Sequence, residues 1–323
     1  MIPAVLGFDT SNYRTSAAAV SEDGEILLNY RELLEVAAGE RGLRQSDAVF
    51  AHLRRMTGAE GPLREIKRRG YTPAAVAVSD RPGEGEDSYM PVFQAGVTVA
   101  VMLSAALDVP LFRTTHQRGH LAAAAHGTPL EDREPYLAFH LSGGTTDLLA
   151  VTAEGPAVIG KSLDLHAGQL VDRIGVALGL SFPAGPELEL LALRGRSEGR
   201  LGASMERDDL DCHFSGAESQ AQRWIREGTV SPENLAREVY DLLGRTISRM
   251  LAAGSRETGY RKALVTGGVA GSDLFRTILK QRCEKIRNAP EIVFGSRELS
   301  GDNAVGVALI GLKKWKTAGY NGG

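Results

Sequence analysis

Residues 7–24, GFDTSNYRTSAAAVSEDG, align without a gap on residues 138–155, AFHLSGGTTDLLAVTAEG. The identical pairs include Phe8 and Phe139, Ser11 and Ser142, Thr15 and Thr146, Val20 and Val151, and Gly24 and Gly155. Each copy has an apolar stretch, a turn of small polar residues, a stretch of small and β-branched residues, and a turn containing glycine. The pattern predicts the same β-hairpin twice, which indicates a duplicated fold.

A second pair of segments occurs in the same order in the two halves. Residues 74–86, AAVAVSDRPGEGE, and residues 262–273, KALVTGGVAGSD, each run from an apolar strand into a glycine-rich loop. A helical pattern follows each of them. Because both pairs keep one order, duplication explains them better than chance does.

Helical patterns separate most of the predicted strands. Residues 231–254, SPENLAREVYDLLGRTISRMLAAG, are apolar at helical spacing, and Ser231 and Pro232 suit the N-cap and the first helical position. This alternation predicts an α/β layered fold with parallel crossovers. The polar, turn-rich residues 126–135, HGTPLEDREP, mark a boundary.

The length of 323 residues suits two domains that each bury a core. We expect an N-terminal domain of residues 1–130 and a C-terminal domain of residues 131–323 with a helical insertion. We also expect the last helix to return to the first domain.

The composition, 43% hydrophobic and 24% charged, is typical of a soluble globular protein. No apolar run reaches the roughly 20 residues of a membrane-spanning helix, and the N-terminus lacks the pattern of a secretion signal, so we expect a cytoplasmic protein. With only Cys212 and Cys283, the chain has neither a disulfide framework nor a thiolate metal cluster. Any metal site must therefore use histidine and carboxylate.

The net charge of -3 argues against a basic surface that coats nucleic acid. Two basic runs, residues 64–70 (REIKRRG) and residues 313–316 (KKWK), can contact phosphates or form solvated helix faces.

Two histidines in THQRGH (115–120) suit one metal ion. His116 and His120 are four residues apart, which on a helix places both imidazoles on one face, about 2 Å from a shared metal. Surface or capping roles are the alternative for such a pair. Asp302, in SGDNAVGVALIGL (300–312), precedes a predicted helix, where its carboxylate can cap backbone amides or act as a third ligand.

Three loops after predicted strands suit an anion. In LSGGTTD (141–147) adjacent glycines let backbone N–H groups converge on a phosphate, although a hairpin without a ligand needs the same glycines. DTSNYRTS (9–16) stands at the equivalent place in the other half. TGGVAGSD (266–273) leads into a helix whose N-terminus suits a nucleotide, which makes Gly267 and Gly268 candidate contacts.

In this order the motifs resemble the threonylcarbamoyltransferase family that modifies an adenosine beside the tRNA anticodon, once classed as glycoproteases. The resemblance extends over almost the whole chain. The matching segments are LGFDTS (6–11), AVAVSDRPG (75–83), DVPLF (108–112), THQRGHLAAA (115–124), HLSGGTTDLL (140–149), LDLHAGQLVDRIGVALGL (163–180), FPAGPELELLA (182–192), HFSGAESQA (213–221), LVTGGVAGSDLF (264–275) and GDNAVGVAL (301–309). It implies duplicated actin/hexokinase-like, that is ribonuclease H-like, domains with a cleft between them.

The resemblance also assigns site residues. The implied metal ligands are His116, His120 and Asp302. The residues implied to line the substrate phosphate or carbamoyl group are His140, Leu141, Ser142, Gly143 and Gly144. The resemblance further implies Asp172 at the ribose, Gly185 beside it and Ser272 near the adenine.

His140 carries a further prediction. Relatives can place a metal-contacting tyrosine two residues before the Ser-Gly-Gly loop, and imidazole can replace that phenolate as a ligand. A site with three histidines and one aspartate is therefore one hypothesis. A core-facing or hydrogen-bonded His140 is the alternative.

The first hairpin departs from the family pattern. An ETSCDET-like run with an acidic pair, associated with transfer activity, is replaced here by DTSNYRT (9–15), so that Tyr13 and Arg14 occupy the acidic positions. Arginine stays protonated and can only donate hydrogen bonds or balance negative charge. The other departures are Gln169 for a usual glutamate, Ser272 for a usual asparagine, and GEGEDSYM (83–90) for a more apolar glycine loop.

The family resemblance implies transfer of a threonylcarbamoyl group from its adenylate to a tRNA adenosine, with one divalent metal ion, iron or zinc, as Lewis acid. Ser142 and Arg14 are the candidate catalytic residues, because they can stabilise the leaving phosphate. The expected partners are tRNA, a related non-catalytic homologue and an ATPase subunit, and a dimer is a further expectation. The expected ligand is an adenine nucleotide or an acyl-adenylate.

Three other functions are weighed against the transferase. The leading rival is a divergent paralogue that binds metal and nucleotide and lacks tRNA-modifying activity. It would act as an interaction or regulatory protein or transfer a carbamoyl group to another acceptor. A kinase of the same fold is a weaker alternative. A metallopeptidase is least favoured, because Gln117 follows His116 and the HExxH base is absent.

Overall fold

The computed structural model describes residues 2–11, 14–35, 43–85, 88–301 and 303–319. The backbone divides into two units, of which the first contains the described residues of 1–126 and 301–323 and the second contains residues 127–300. The boundary between the units follows residue 126, where residue 130 was expected, and the C-terminal helix belongs to the first unit.

The first unit contains five strands and five helices among its described residues. They are β1 (Ile2–Asp9), β2 (Arg14–Val20), β3 (Ile26–Leu33), α1 (Gln45–Thr57), α2 (Pro62–Arg68), β4 (Tyr71–Arg81), α3 (Phe93–Leu107), β5 (Leu111–Thr115), α4 (His116–Ala125) and α10 (Val305–Thr317). The strands form one sheet in the order β3-β2-β1-β4-β5. The first hairpin is antiparallel, whereas β4 and β5 run parallel to β1. The carboxyl ends of β1, β4 and β5 therefore lie at one edge of the sheet.

The second unit repeats this arrangement. Its elements are β6 (Tyr136–Leu141), β7 (Thr146–Thr152), β8 (Gly155–Lys161), α5 (Ala167–Ala177), α6 (Gly185–Ala192), β9 (Ser204–Glu206), β10 (Asp211–His213), α7 (Ser215–Glu227), α8 (Pro232–Thr258), β11 (Lys262–Thr266), a 3-10 turn (Val269–Gly271), α9 (Asp273–Cys283) and β12 (Glu291–Phe294). The large sheet has the order β12-β11-β6-β7-β8, with an antiparallel hairpin and parallel β11 and β12. Read from the outer hairpin strand, both sheets have the same topology, so the predicted duplication is confirmed.

Each unit has its own apolar core. In the first, the alternate side chains of β1 and β4 pack with α3, and α10 packs against β1, β4 and α4. In the second, α8 is the central helix, and its predicted apolar face from Leu235 to Met250 is buried. Ser231 caps α8 by accepting a hydrogen bond from the Asn234 N–H, and Pro232 is its first residue, as predicted.

Among the described residues, none of the helices combines the length and the hydropathy that crossing a membrane would require.

Candidate metal and nucleotide sites

Helix α4 presents the histidine pair. Thr115, the last residue of β5, is the N-cap, and its hydroxyl accepts a hydrogen bond from the Arg118 N–H at 3.2 Å. The helix therefore begins at His116, and one turn later His120 lies on the same face. The two Nε2 atoms are 2.9 Å apart. The structure thus places the Nε2 atoms of the two predicted ligand residues next to each other.

Behind this pair lies Asp9, the last residue of β1, which is fully buried. One of its carboxylate oxygens contacts His116 Nδ1 at 2.7 Å and accepts a hydrogen bond from the Ser79 hydroxyl at 2.7 Å. The other accepts hydrogen bonds from the Ser11 backbone N–H at 2.9 Å and the Ser11 hydroxyl at 2.6 Å. Burial alone raises the pKa of Asp9, but His116 and the Ser11 hydrogen bonds outweigh it and hold the pKa well below its usual range.

The side chains of His116, His120 and Asp9 fit a site for a divalent transition metal ion. Two imidazole nitrogens converge, and a carboxylate supports one of the rings, which is the usual outer shell of a histidine ligand. Clusters of three or more metal-ligating side chains are absent from the part of the chain that the structure describes. The third implied ligand, Asp302, lies outside the described residues.

The loop after β4 is attached to the metal helix. Glu84 accepts two hydrogen bonds from the guanidinium of Arg118, at 2.7 and 3.1 Å, and one from the Thr115 hydroxyl at 2.9 Å. Partial burial raises the pKa of Glu84, but the hydrogen bonds from Arg118 and Thr115 outweigh this effect and lower the pKa below its usual value. This loop belongs to GEGEDSYM, the segment that departs from the family pattern. Of that segment, residues 86–87 lie outside the described residues.

The loop between β6 and β7 carries the Ser-Gly-Gly motif. The Ser142 hydroxyl oxygen accepts hydrogen bonds from the backbone N–H groups of Gly144, at 3.2 Å, and Thr145, at 3.0 Å. Gly143 and Gly144 are exposed, and a side chain on either would meet no atom within 4 Å. The loop therefore presents an open backbone surface, and Ser142 holds its shape.

Two further glycines fix the position of this loop. The Gly168 N–H, in the first turn of α5, donates to the Ser142 carbonyl at 3.0 Å, and a Cβ there would lie 2.5 Å from the Gly143 nitrogen. Gly267 has a φ of +100, and a Cβ on this residue would lie only 2.3 Å from the Leu141 carbonyl oxygen. Gly268, the next residue, opens onto free space. The loops 141–146 and 267–271 thus pack together.

His140 is half-buried at the end of β6. Its Nδ1 lies 3.3 Å from the Thr145 hydroxyl, within the Ser-Gly-Gly loop. Leu141 beside it is fully buried. The structure therefore connects His140 to the loop, and its role as a metal ligand stays a prediction.

The residues implied at the ribose and adenine lie around Tyr240 of α8. Asp172 accepts a hydrogen bond from the Ala184 N–H at 2.9 Å, just before α6, and the Tyr240 hydroxyl donates to the Gly185 carbonyl at 3.0 Å. Ser272 is the N-cap of α9. Burial raises the pKa of Tyr240, and the nearby Glu189 and Asp172 carboxylates raise it further, whereas a hydrogen bond with Ser272 lowers it. One network thus connects the beginnings of α6 and α9.

The structure describes two of the residues that depart from the family pattern in the first hairpin and at the start of α5. Arg14 is the first residue of β2, and Tyr13 lies outside the described residues. Gln169 accepts a hydrogen bond from the His166 N–H at 3.2 Å at the start of α5. The Gln169 side chain therefore caps the N-terminus of α5.

Sequence reasoning missed Asp9, Glu84 and Tyr240 as members of these sites. A signal for Asp9 existed, because the hairpin alignment places it over His140, a residue that was singled out. Glu84 and Tyr240 had no comparable signal, since their partners are distant in the sequence.

Solved structures similar to this chain share its fold. One is the activator of the 2-hydroxyisocaproyl-CoA dehydratase from Clostridium difficile with bound ADPNP, at 14% identity and TM-score 0.56, covering 99% of this chain and 98% of that chain. Another is HypF of T. kodakarensis, at 15% identity and TM-score 0.58, where the match covers 99% of this chain but 48% of that chain. A third is a ROK family glucokinase from Streptomyces griseus in complex with glucose and AMPPNP, at 13% identity and TM-score 0.54, covering 96% and 99% of the two chains.

These similarities show an actin/hexokinase-like α/β fold, as the sequence predicted. Residues 63–309 match the family of tRNA N6-adenosine threonylcarbamoyltransferases. The matched region includes the histidine pair, the Ser-Gly-Gly loop and the loop 267–271. Because it makes up more than half of the sequence, the chain belongs to the tRNA N6-adenosine threonylcarbamoyltransferase family.

Proposed function

We propose that this protein transfers a threonylcarbamoyl group from its adenylate to an adenosine of tRNA. In this reaction the exocyclic amine of adenosine attacks the carbamoyl carbon, forming a C–N bond. The C–O bond to the adenylate phosphate breaks, AMP leaves with the electron pair, and the amine nitrogen loses a proton. The observation that carries the proposal is the convergence of His116 and His120 in front of buried Asp9.

His116 and His120, with Asp302, would hold one divalent metal ion, iron or zinc. Bound there, the ion would supply Lewis acidity to the carbamoyl carbonyl. The α4 N-cap and the Glu84 contact with Arg118 hold the helix that carries both imidazoles. The donor geometry is therefore set by the protein in advance, which reduces the cost of ordering the ligands.

The adenylate phosphate is assigned to the Ser-Gly-Gly loop. The exposed backbone of Gly143 and Gly144 can approach an anion closely. The Ser142 hydroxyl accepts hydrogen bonds from the Gly144 and Thr145 N–H groups and can donate its own proton to a phosphate oxygen. Asp172 and Ser272 are proposed at the ribose and adenine. Structures of the same fold that contain ADPNP and AMPPNP support an adenine nucleotide as the ligand.

Arg14 takes a role different from that of the acidic pair it replaces. A guanidinium cannot accept the proton from the attacking amine, but it can stabilise a phosphate that gains charge as it leaves. The proposal therefore gives Arg14 an electrostatic role and assigns the amine proton to solvent. The same substitution favours the second candidate, a paralogue that binds metal and nucleotide without modifying tRNA.

The partner subunits follow from the proposed activity. The proposal includes tRNA as acceptor, a related non-catalytic homologue and an ATPase subunit, and a dimer of the chain itself. The test must therefore supply such subunits as well as the purified chain.

The experiment combines the purified chain, loaded with Zn²⁺ or Fe²⁺, with threonylcarbamoyl adenylate and unmodified tRNA, with and without candidate partner subunits. Modified adenosine is quantified by mass spectrometry of the digested tRNA. His120→Ala should lower both metal content and modification by at least about 100-fold. His126→Ala, at the end of the same helix, is the matched control and should keep both.

One outcome would reject the transferase, and another would reject the metal site. If the wild-type chain binds metal and AMP but forms no modified adenosine with any partner, the binding paralogue is the correct function. If His120→Ala modifies tRNA as well as the wild type, the histidine pair is not the metal site of the reaction.

A further inference from the structure

Asp9 contacts the histidine pair but takes no part in the bond changes of the proposed reaction. It ends β1, Ser79 lies near the end of the neighbouring strand β4, and His116 follows β5. The three residues therefore come from adjacent parallel strands at one edge of the sheet. The side chain of Asp9 is 1% exposed and that of His116 is 21% exposed, so the contact between them is shielded from water.

The hydrogen bonds of Asp9 determine which nitrogen of His116 carries a proton. The Ser11 backbone N–H can only donate, and the Ser11 and Ser79 hydroxyls also lie at donor distance from the carboxylate. An ionised carboxylate accepts and cannot donate. The remaining contact, at 2.7 Å, therefore requires a proton on Nδ1 of His116. In the neutral imidazole this leaves a lone pair on Nε2, the atom that lies opposite His120 Nε2.

The geometry points to Asp9 as the positioning residue of the metal site, which fixes His116 as the Nδ1–H tautomer and directs its Nε2 toward the ion. This inference rests on the proposed metal site and names the residue that prepares one of its ligands. A carboxylate that accepts a hydrogen bond from Nδ1–H also makes Nε2 of the imidazole more basic, and therefore a stronger metal ligand. Asp9 acts through His116 and contacts neither the metal nor the substrate.

A purely structural role for Asp9 makes a different prediction. If the carboxylate served only to hold the turn at Ser11 and strand β4, its removal would lower stability without changing the tautomer of His116. The tautomer is therefore the decisive measurement, and it requires no metal.

The test compares the wild-type chain with Asp9→Asn and Asp9→Glu at the same pH. Long-range ¹H–¹⁵N NMR of the metal-free proteins reports the tautomer of His116, and competition with a chromophoric chelator reports Zn²⁺ affinity. We expect the Nδ1–H form in the wild type and a mixture of tautomers in Asp9→Asn, with about 10- to 100-fold weaker Zn²⁺ binding. Asp9→Glu should recover part of both.

Ser79→Ala is the matched control, because it removes a hydrogen bond from the same carboxylate oxygen without removing the charge. It should keep the Nδ1–H tautomer and bind Zn²⁺ within about threefold of the wild type, a small part of the loss expected for a removed supporting group. Circular dichroism verifies that each variant is folded. Where Asp9→Asn does not fold, the tautomer of the wild type is the test, because an Nε2–H form there would overturn the inference.

An Nδ1–H tautomer retained in folded Asp9→Asn would overturn the inference, and so would an Nε2–H tautomer in the wild type. Failure of the proposed function looks different. If the wild type binds no Zn²⁺, the metal site is wrong, whereas the NMR measurement still decides whether Asp9 orients His116.

Discussion

Gly306 of α10 lies directly against the backbone of Gly119 in the metal helix α4. A Cβ on Gly306 would be 1.8 Å from the Gly119 carbonyl oxygen and 2.7 Å from the Ala123 nitrogen. The contact lies between His116 and His120 in the sequence of α4. The backbones of α10 and α4 are therefore in direct contact at this point, which sets the position of the helix that carries the histidine pair. A methyl group on Gly306 would not fit between them.

Gly306→Ala should disrupt this contact. Since overpacking in a close-packed interior costs about 1–3 kcal/mol, we expect the free energy of unfolding to fall by about that amount. The shift of α4 should also move His116 away from Asp9 on β1 and weaken Zn²⁺ binding. Urea denaturation and chelator competition measure the two effects.

Gly216→Ala is the control for Gly306→Ala. Gly216 lies in α7, and a Cβ there would meet no atom within 4 Å. Alanine should leave the stability unchanged or raise it by up to about 1 kcal/mol, because glycine is a poor helix former. Equal stability losses in both variants would contradict the importance of the α10 contact.

Glu84 and Arg118 should be energetically coupled. Their two hydrogen bonds join the loop after β4 to α4, and both side chains are about one-third exposed, at 30% and 31%. Exposure weakens the electrostatic part, so a double-mutant cycle of Glu84→Gln and Arg118→Gln should give a coupling of about 0.5–1 kcal/mol. The more exposed pair of Arg249 and Asp209 is the comparison and should give less. Additive effects of the first pair would show that the loop is held by other contacts.

The sequence predicted those features that depend on interactions between residues close together in the chain. A helix cap uses residues within four positions, so Ser231 could be assigned before the structure was known, and the i, i+4 spacing of His116 and His120 sets their common face. The duplicated hairpins were visible because both copies need the same small residues in the turn. These local patterns predicted most of the fold and the common helix face of the histidine pair.

The rest depended on which strands lie side by side. Asp9 and His116 are 107 positions apart in the sequence, and they meet only because β1, β4 and β5 are neighbouring parallel strands with aligned carboxyl ends. Glu84 reaches Arg118 across 34 positions for the same reason. Strand order is a property of tertiary packing, and no periodicity along the chain encodes it.

Gly168→Ala should weaken nucleotide binding by the Ser-Gly-Gly loop. The new methyl group would lie 2.5 Å from the Gly143 nitrogen and 2.6 Å from the Ser142 carbonyl carbon, so the loop must move. We expect at least about tenfold weaker binding of AMP, the equivalent of 1.4 kcal/mol. Isothermal titration calorimetry measures it. Gly202→Ala, where a Cβ would have no neighbour within 4 Å, should bind AMP like the wild type. Unchanged affinity in Gly168→Ala would place the nucleotide elsewhere.

Asp164 should stabilise the second unit in a pH-dependent way. It accepts hydrogen bonds from the Phe214 N–H, at 2.8 Å, and from the Ser215 N–H and hydroxyl at the start of α7. Partial burial raises its pKa, but the hydrogen bonds from Ser215 and from backbone N–H groups outweigh this and lower the pKa to about 2. His213 Nδ1 lies 3.4 Å from the same carboxylate.

The sign of the effect follows from this lowered pKa. The folded state prefers ionised Asp164, so its contribution is fully present above the unfolded pKa of about 3.9 and is lost as the pH falls through about 2. Asp164→Asn should lower the free energy of unfolding by about 1 kcal/mol at pH 7, as for a removed helix cap. Urea denaturation should show this difference shrinking between pH 4 and pH 2, with Ser215→Ala showing a smaller loss at pH 7 because it removes one donor. A difference that is the same at pH 7 and pH 2 would mean that the aspartate acts through its shape and not through its charge.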